Sequence, residues 1–147
     1  MSYSIRPLTA EHYKSANDIY HSAFYVNFPL HRLWKYRNHD LSRGIFTKEG
    51  DLLGFALVVD NYIHYLAVHS SLQGHGLGSY LLRRILELCI DKGISIELTP
   101  AEGVIGWYCK HGFYGSKDGE LVFHTHNTRR QGLFLRNYSG GTMNPLK

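Results

Sequence analysis

The chain has 147 residues, a formal net charge of +4 from 16 Lys and Arg against 12 Asp and Glu, and 44% hydrophobic residues. That is one domain's length with enough apolar material for one core, which excludes a disordered chain. The two cysteines, Cys89 and Cys109, exclude a disulfide-stapled scaffold and suit a reducing compartment, and the longest apolar run, Leu52 to Val59, is far short of the about 20 residues a membrane span needs.

The first residues, MSYSIRPLTAEH, lack the basic-then-apolar build of a signal peptide. The basic residues are scattered apart from Arg83-Arg84 and Arg129-Arg130, with no nucleic-acid-binding signature around them. The expectation is a soluble, cytoplasmic protein that engages neither membrane nor nucleic acid.

In chain order, Ser4 to Pro7 reads as a short strand. Thr9 is placed to cap a helix that begins at Glu11 and His12 and runs to about Phe24, with Ala16, Ile19, Tyr20, Ala23 and Phe24 on one face. A second short helix after Pro29 carries Leu30, Leu33 and Trp34. Ile45 to Lys48 and Leu52 to Val59 form a hairpin around Glu49-Gly50-Asp51. Tyr62 to Val68 is the next strand, followed by the glycine-rich turn Gln73-Gly74-His75-Gly76-Leu77-Gly78. A long helix runs from about Gly76 to Lys92, stopped by Gly93. Ser95 to Thr99 is a strand ended by Pro100, and Gly103 to His111 a short helix ended by Gly112. Phe113 to Tyr138 reads as two strands around a loop near Asn127 to Gln131. Residues 1–138 make one domain and 139–147 a loose tail. The order describes an α+β, or mixed α/β, sheet domain whose central strand–turn–helix–strand unit is a right-handed parallel crossover.

The glycine-rich turn lies between a strand and the start of the long helix. Glycines there allow close backbone approach, and the free N–H groups of the first helical turn favour an anion. A Walker A loop needs GxxxxGK[ST], which is absent. A Rossmann fingerprint needs GxGxxG; Gly74-x-Gly76-x-x leads to Ser79, although Glu97 stands about where that motif has its acid. A pyrophosphate loop of the form [R/Q]-x-x-G-x-[G/A] is met by Gln73 to Gly78 at every fixed place.

The stretch from His64 to Ser79, a Leu66-Ala67-Val68 strand end, a short loop and then QGHGLGS, resembles the acetyl-CoA-binding motif of the GNAT N-acetyltransferases. A second motif follows in the correct order. Glu97-Leu98-Thr99 and the helix ending in Tyr108-x-x-x-Gly112-Phe113 resemble that family's next strand and helix. The resemblance covers roughly residues 62 to 115. It implies a central, mostly antiparallel sheet of six to seven strands, splayed between the fourth and fifth, with four helices around it. It also implies acetyl-CoA as co-substrate, with no metal.

By the same resemblance, the backbone of Leu66, Ala67 and Val68 pairs with the pantetheine arm, and Gln73, Gly74, His75, Gly76, Leu77, Gly78 and Ser79 hold the pyrophosphate. A gap in a sheet leaves N–H and C=O groups that a ligand amide can satisfy. Acetyl transfer to an amine needs a neutral nucleophile and a proton for the leaving thiolate. Tyr108 matches the family's general acid. His64, placed on the Leu66 and Val68 face by the period of two, is the first candidate base. Glu97 is the second. As a lone residue, His64 also reads as a packed strand histidine, and Glu97 as a solvent-facing carboxylate.

The run His64-x-Leu66-Ala67-Val68-His69 is especially similar to the serotonin and arylalkylamine N-acetyltransferases, which carry a further His where this chain has Tyr62. Phe24, Tyr25 and Phe28, with Trp34 and Tyr36, fall where the family's first helices cover the acceptor, so the first three are candidate substrate contacts. Packing of a small core accounts for most of such aromatics. His124-x-His126 has no third metal ligand in register.

The reading is an acetyltransferase acting on a small-molecule primary amine, as a monomer or homodimer. The alternatives are a lysine side chain or polyamine as acceptor, or an acyl-CoA-binding module without catalysis.

Overall fold

A computed structural model describes residues 2–24, 29–115 and 119–125. Its strands are β1 (Tyr3–Pro7), β2 (Arg43–Thr47), β3 (Leu52–Val59), β4 (Tyr62–Val68), β5 (Ile96–Leu98), β6 (Tyr114–Gly115) and β7 (Leu121–Phe123). Its helices are α1 (Tyr13–Ala23), α2 (His31–Trp34), α3 (Leu77–Lys92) and α4 (Ile105–Lys110). The seven strands form one sheet in the order β1-β2-β3-β4-β5-β7-β6, antiparallel except where β4 meets β5.

Most local signals are realised within a residue or two. Thr9 N–H donates to His12 Nδ1 at 3.0 Å, and one 3-10 turn over Ala10–His12 leads into α1. The tight turn is Gly50, at φ +95°, with Thr47 N–H donating to Asp51 O at 2.9 Å. β2 begins at Arg43, two residues before the apolar run, because it is paired on both sides, with Pro7 of β1 and Ala56 of β3. Gly93, at φ +68°, closes α3.

Alternation on β3 divides the core. Phe55 and Leu57 face α1 and α2, packing with Ala16, Ile19, Tyr20 and Trp34. Ala56 and Val58 face α3 and α4, packing with Leu82, Ile85, Cys89 and Trp107. Among the described residues no helix is long and apolar enough to cross a membrane.

One expectation is corrected. The stretch that opens the expected pair, Phe113 to Phe123, is not one continuous strand but already holds two short ones. β6 pairs antiparallel with β7, so the reversal falls between Gly115 and Leu121. β7 then inserts between β6 and β5, with Leu121, Val122 and Phe123 against Leu98, Glu97 and Ile96. A three-residue apolar run is buried throughout in that position, and this choice of neighbour is a tertiary one. Residues 127–131 and the segment 139–147 lie outside the described residues.

Below α4, His111 is fully buried. Its Nδ1–H donates to Trp107 O at 3.0 Å, and its ring lies 4.3 Å from that of Trp107. Burial, with help from the Arg83 charge, pushes the imidazole down to about 4. The unfolded chain therefore binds the proton first. The stability this neutral ring contributes is complete above the ordinary value of 6.5 and is lost as pH falls towards 4, by at most about 3 kcal/mol. Urea unfolding at pH 7.5 and 4.5 is expected to show that loss in the native protein and a smaller one in His111→Gln. Equal losses in the two proteins would contradict it.

Candidate active site

β4 and β5 are paired over only two positions, Tyr62 with Glu97 and Ile63 with Leu98. Glu97 N–H donates to Asn61 O at 2.9 Å at the base of this pairing. From His64 to Val68, β4 continues beside β3 alone. Two local features part the strands. Thr99-Pro100 ends β5, since proline has no N–H to offer a ladder. On β4, Leu57 pairs with Tyr65 and Val58 with Ile63, so His64 is an extra residue in a β-bulge.

The bulge corrects the placement of His64. The period of two puts His64 on the face of Leu66. In the structure Ile63 shares the α3 and α4 core with Leu66, and His64 is exposed beside it. The insertion shifts the phase, and His64 reaches the rim of the gap.

A cavity of about 220 Å³ opens where the strands part. His64, Tyr65 and Leu66 of β4 line one side; Leu98, Thr99 and Pro100 line another; Tyr108 of α4 and Val104 just before that helix close it, with Ala23 and Phe24 from the end of α1. Tyr108, His64 and Phe24 are thus brought together. Glu97 alternates with the core residues Ile96 and Leu98, and its side chain does not line this cavity. Tyr25 and Phe28 lie outside the described residues.

The spacing around Tyr108 has a local cause. Gly112, at φ +96°, turns the chain back, Phe113 N–H donates to Tyr108 O at 3.3 Å, and the Phe113 ring meets the Tyr108 ring edge-on at 5.6 Å. Trp107 holds the same ring at 4.9 Å. Tyr108 is 6% exposed, and burial raises its phenol above the ordinary value, so it is protonated at neutral pH. His64 is shifted the other way. Partial burial lowers its imidazole from 6.5, against a smaller opposing pull from Asp60, so the neutral ring dominates at pH 7.

Tyr65 was not singled out by the sequence. Its ring packs edge-on against Tyr20 at 4.8 Å, and Tyr20 Oη–H donates to its hydroxyl at 3.5 Å. Thr99 was equally unmarked, because its place depends on where β5 stops. Cys109, beside Tyr108, is exposed. Among the described residues no group of three or more His, Cys, Asp or Glu is placed to hold a metal.

The open edge of β4 leads directly to the glycine-rich turn. Gln73 Nε2–H donates to Val68 O at 3.3 Å, tying the turn to the strand end. Gly74 and Gly76 take φ +87° and +80°, and Gly76 caps α3. Tyr80 N–H is the first to reach back, to Gly76 O at 3.1 Å. The N–H groups of Leu77, Gly78 and Ser79 have no acceptor within the helix. Ser79 Oγ is fully buried without a hydrogen-bond partner. An unpaired strand edge running into a nest of donors at a helix N-terminus fits a ligand with amide groups in an arm and a diphosphate at its end. Acetyl-CoA has both.

The model of the acetyltransferase (GNAT) family matches residues 13–113, more than half the chain. The chain belongs to the GNAT acetyltransferases. As a GNAT protein it is an acetyl-CoA-dependent N-acetyltransferase, with the splayed sheet of that fold.

Solved GNAT structures share its architecture at low identity. The ribosomal-protein-S18-alanine N-acetyltransferase from Escherichia coli is 20% identical, with a TM-score of 0.69 over 84% of this chain and 94% of that one. A GNAT family acetyltransferase from Brucella melitensis, solved with acetyl-CoA, is 19% identical, with a TM-score of 0.65 over 84% and 88%. Arabidopsis thaliana Naa50, solved with the bisubstrate analogue CoA-Ac-MVNAL, is 18% identical, with a TM-score of 0.68 over 83% and 96%. These likenesses concern the fold. No curated protein sequence matches this GNAT chain.

Proposed function

We propose that this GNAT chain transfers the acetyl group of acetyl-CoA directly to the primary amine of a small, largely apolar molecule. The observation that carries this reading is the cavity at the parting of β4 and β5, which is lined by both Tyr108 and His64. Acetyl-CoA supplies the activated acetyl thioester. The β4 edge at Leu66, Ala67 and Val68 holds its arm, and the turn from Gln73 to Ser79 holds its pyrophosphate. His64 takes a proton from the acceptor ammonium. Tyr108, kept protonated by burial, gives its proton to the departing sulfur. Glu97 is the second candidate base and would act from the neighbouring face of β5.

The walls of the cavity support this acceptor class. Ala23, Phe24, Ile63, Leu66 and Val104 are apolar, and no carboxylate lines the cavity among the described residues. A polyamine would find no counter-charge there, whereas a hydrophobic or aromatic amine would bury its body against Phe24 and Tyr65. The peptide part of the analogue bound to Arabidopsis thaliana Naa50 supplies a second reading, a peptide amine as acceptor.

Release of free thiol from acetyl-CoA, measured across arylalkylamines, polyamines, a lysine peptide and peptides with free N-termini, tests the proposal. Arylalkylamines are expected to give the highest kcat/KM. A peptide that exceeded them would replace the small-molecule reading. For the base, kcat/KM should fall on the acidic side as pH drops through the lowered value of His64, because protonation removes the acceptor for the amine proton. His64→Gln is expected to remove that limb and to lower kcat by about 10² or more. An unchanged limb would pass the role to Glu97.

A further inference from the structure

We propose that Tyr62 is a positioning residue for the acceptor wall: its hydroxyl ties Thr99 across the parting strands, and its ring packs against and orients His64. The inference rests on the reading of His64 as base, and two observations carry it. Tyr62 Oη is hydrogen-bonded to Thr99 Oγ1. The Tyr62 and His64 rings lie 4.8 Å apart at 58°.

The link sits where it is mechanically useful. Tyr62 is paired with Glu97, and Thr99 is two residues further along, beyond the last backbone pair of β4 and β5. The side-chain bond therefore extends the connection between the strands past the point where their ladder stops. Below it the junction is fixed by Glu97 N–H donating to Asn61 O, and Asn61 Nδ2–H donating to Ser95 O at 3.3 Å. Above it no backbone pair joins the two strands among the described residues.

His64 needs such a support. As the extra residue of the bulge it has no partner on β3, so no cross-strand neighbour fixes its ring. Tyr62 does not line the cavity, while His64 and Thr99 both do; Tyr62 acts through them. The groups that face His64 are Asp60, Tyr62 and Tyr65 from its own hairpin, Thr99 from the end of β5, and Tyr108 from α4 across the cavity. Of these, Tyr62 is the one in ring contact, so it supplies part of the cover that holds the imidazole below its ordinary value.

Four variants of the full chain separate the two contacts: Tyr62→Phe, Thr99→Val, their double, and Tyr62→Leu. Tyr62→Phe keeps the ring and loses the tie. It is expected to lower kcat about tenfold with KM for acetyl-CoA within about twofold, a loss typical of a misplaced rather than a missing group. Thr99→Val is expected to do the same, and the double variant no more than either, because both remove one interaction. Tyr62→Leu removes the ring. The His64 titration midpoint, followed by NMR, should then rise towards 6.5, and the acidic limb of kcat/KM should rise with it. Wild-type kcat in Tyr62→Phe, multiplying losses in the double variant, or an unmoved His64 midpoint in Tyr62→Leu would each overturn the proposal.

Failure of the underlying reading looks different. If His64→Gln keeps the acidic limb, His64 is not the base, and the NMR midpoint alone then judges whether Tyr62 holds its ring. Should Tyr62→Leu fail to fold, the conservative pair and their double variant still decide.

Discussion

Replacing Tyr108 by Phe is expected to lower kcat by about 10²- to 10⁴-fold while acetyl-CoA affinity stays within about twofold. The substitution removes one oxygen and keeps the ring that packs edge-on against Trp107 and Phe113. The fold and the turn at Gly112 should therefore survive, and thermal unfolding should move little. In the proposed acid role the loss falls on kcat, because the phenolic proton would matter only as the carbon–sulfur bond breaks. Burial holds that proton on the oxygen through neutral and mildly alkaline pH. The sulfur would otherwise leave as a bare thiolate in a cavity walled by apolar side chains. Single-turnover kinetics with saturating acetyl-CoA, alongside calorimetric binding, provide the check. Equal turnover in the two proteins would remove Tyr108 from the acid role.

Replacing Gly76 by Val is expected to weaken acetyl-CoA binding by about 10- to 100-fold, through two effects that act at one point. Gly76 sits at φ +80° as the cap of α3, a conformation that costs a β-branched residue about 1–3 kcal/mol. A Val that relaxes out of it also turns away the N–H groups of Leu77, Gly78 and Ser79, the proposed donors to the pyrophosphate. Gly93→Ala is the control. Gly93 is also left-handed, at φ +68°, with open space around it, but it stands at the far end of the same helix. That variant should lose a little stability and keep its affinity for acetyl-CoA. Equal losses of affinity in the two variants would mean that the helix as a whole, rather than its N-terminal turn, governs binding.

The parts of the site readable from sequence share one property: each states a local backbone demand. Gln73 to Gly78 needs left-handed residues at Gly74 and Gly76, and glycine is what supplies them. Tyr108, Gly112 and Phe113 lie at the spacing that a left-handed helix stop requires for Phe113 to fold back on Tyr108. Apolar periodicity along Tyr13–Ala23 and Leu77–Lys92 places both long helices, and Glu49-Gly50-Asp51 places a hairpin.

The tertiary structure decided everything that depends on which strand lies beside which. The bulge at His64 exists only in the register of β4 against β3, and it moves His64 off the face that strict alternation assigns. The insertion of β7 between β5 and β6 follows from three apolar residues finding a buried slot; Gly119, at φ +80°, marks the reversal but not which strand β7 joins on its other side. The cavity, and with it the company of Tyr65 and Thr99, exists because the β4 and β5 ladder ends after Ile63 and Leu98. Caps, turns and helical faces are settled by interactions a few residues apart, so the sequence by itself determined the family, the glycine-rich turn at the start of α3 and the helix stop that folds Phe113 onto Tyr108. Register, phase and partings are settled by strands far apart in the chain, so only the assembled sheet brought His64, Tyr62 and Thr99 together at the parting of β4 and β5.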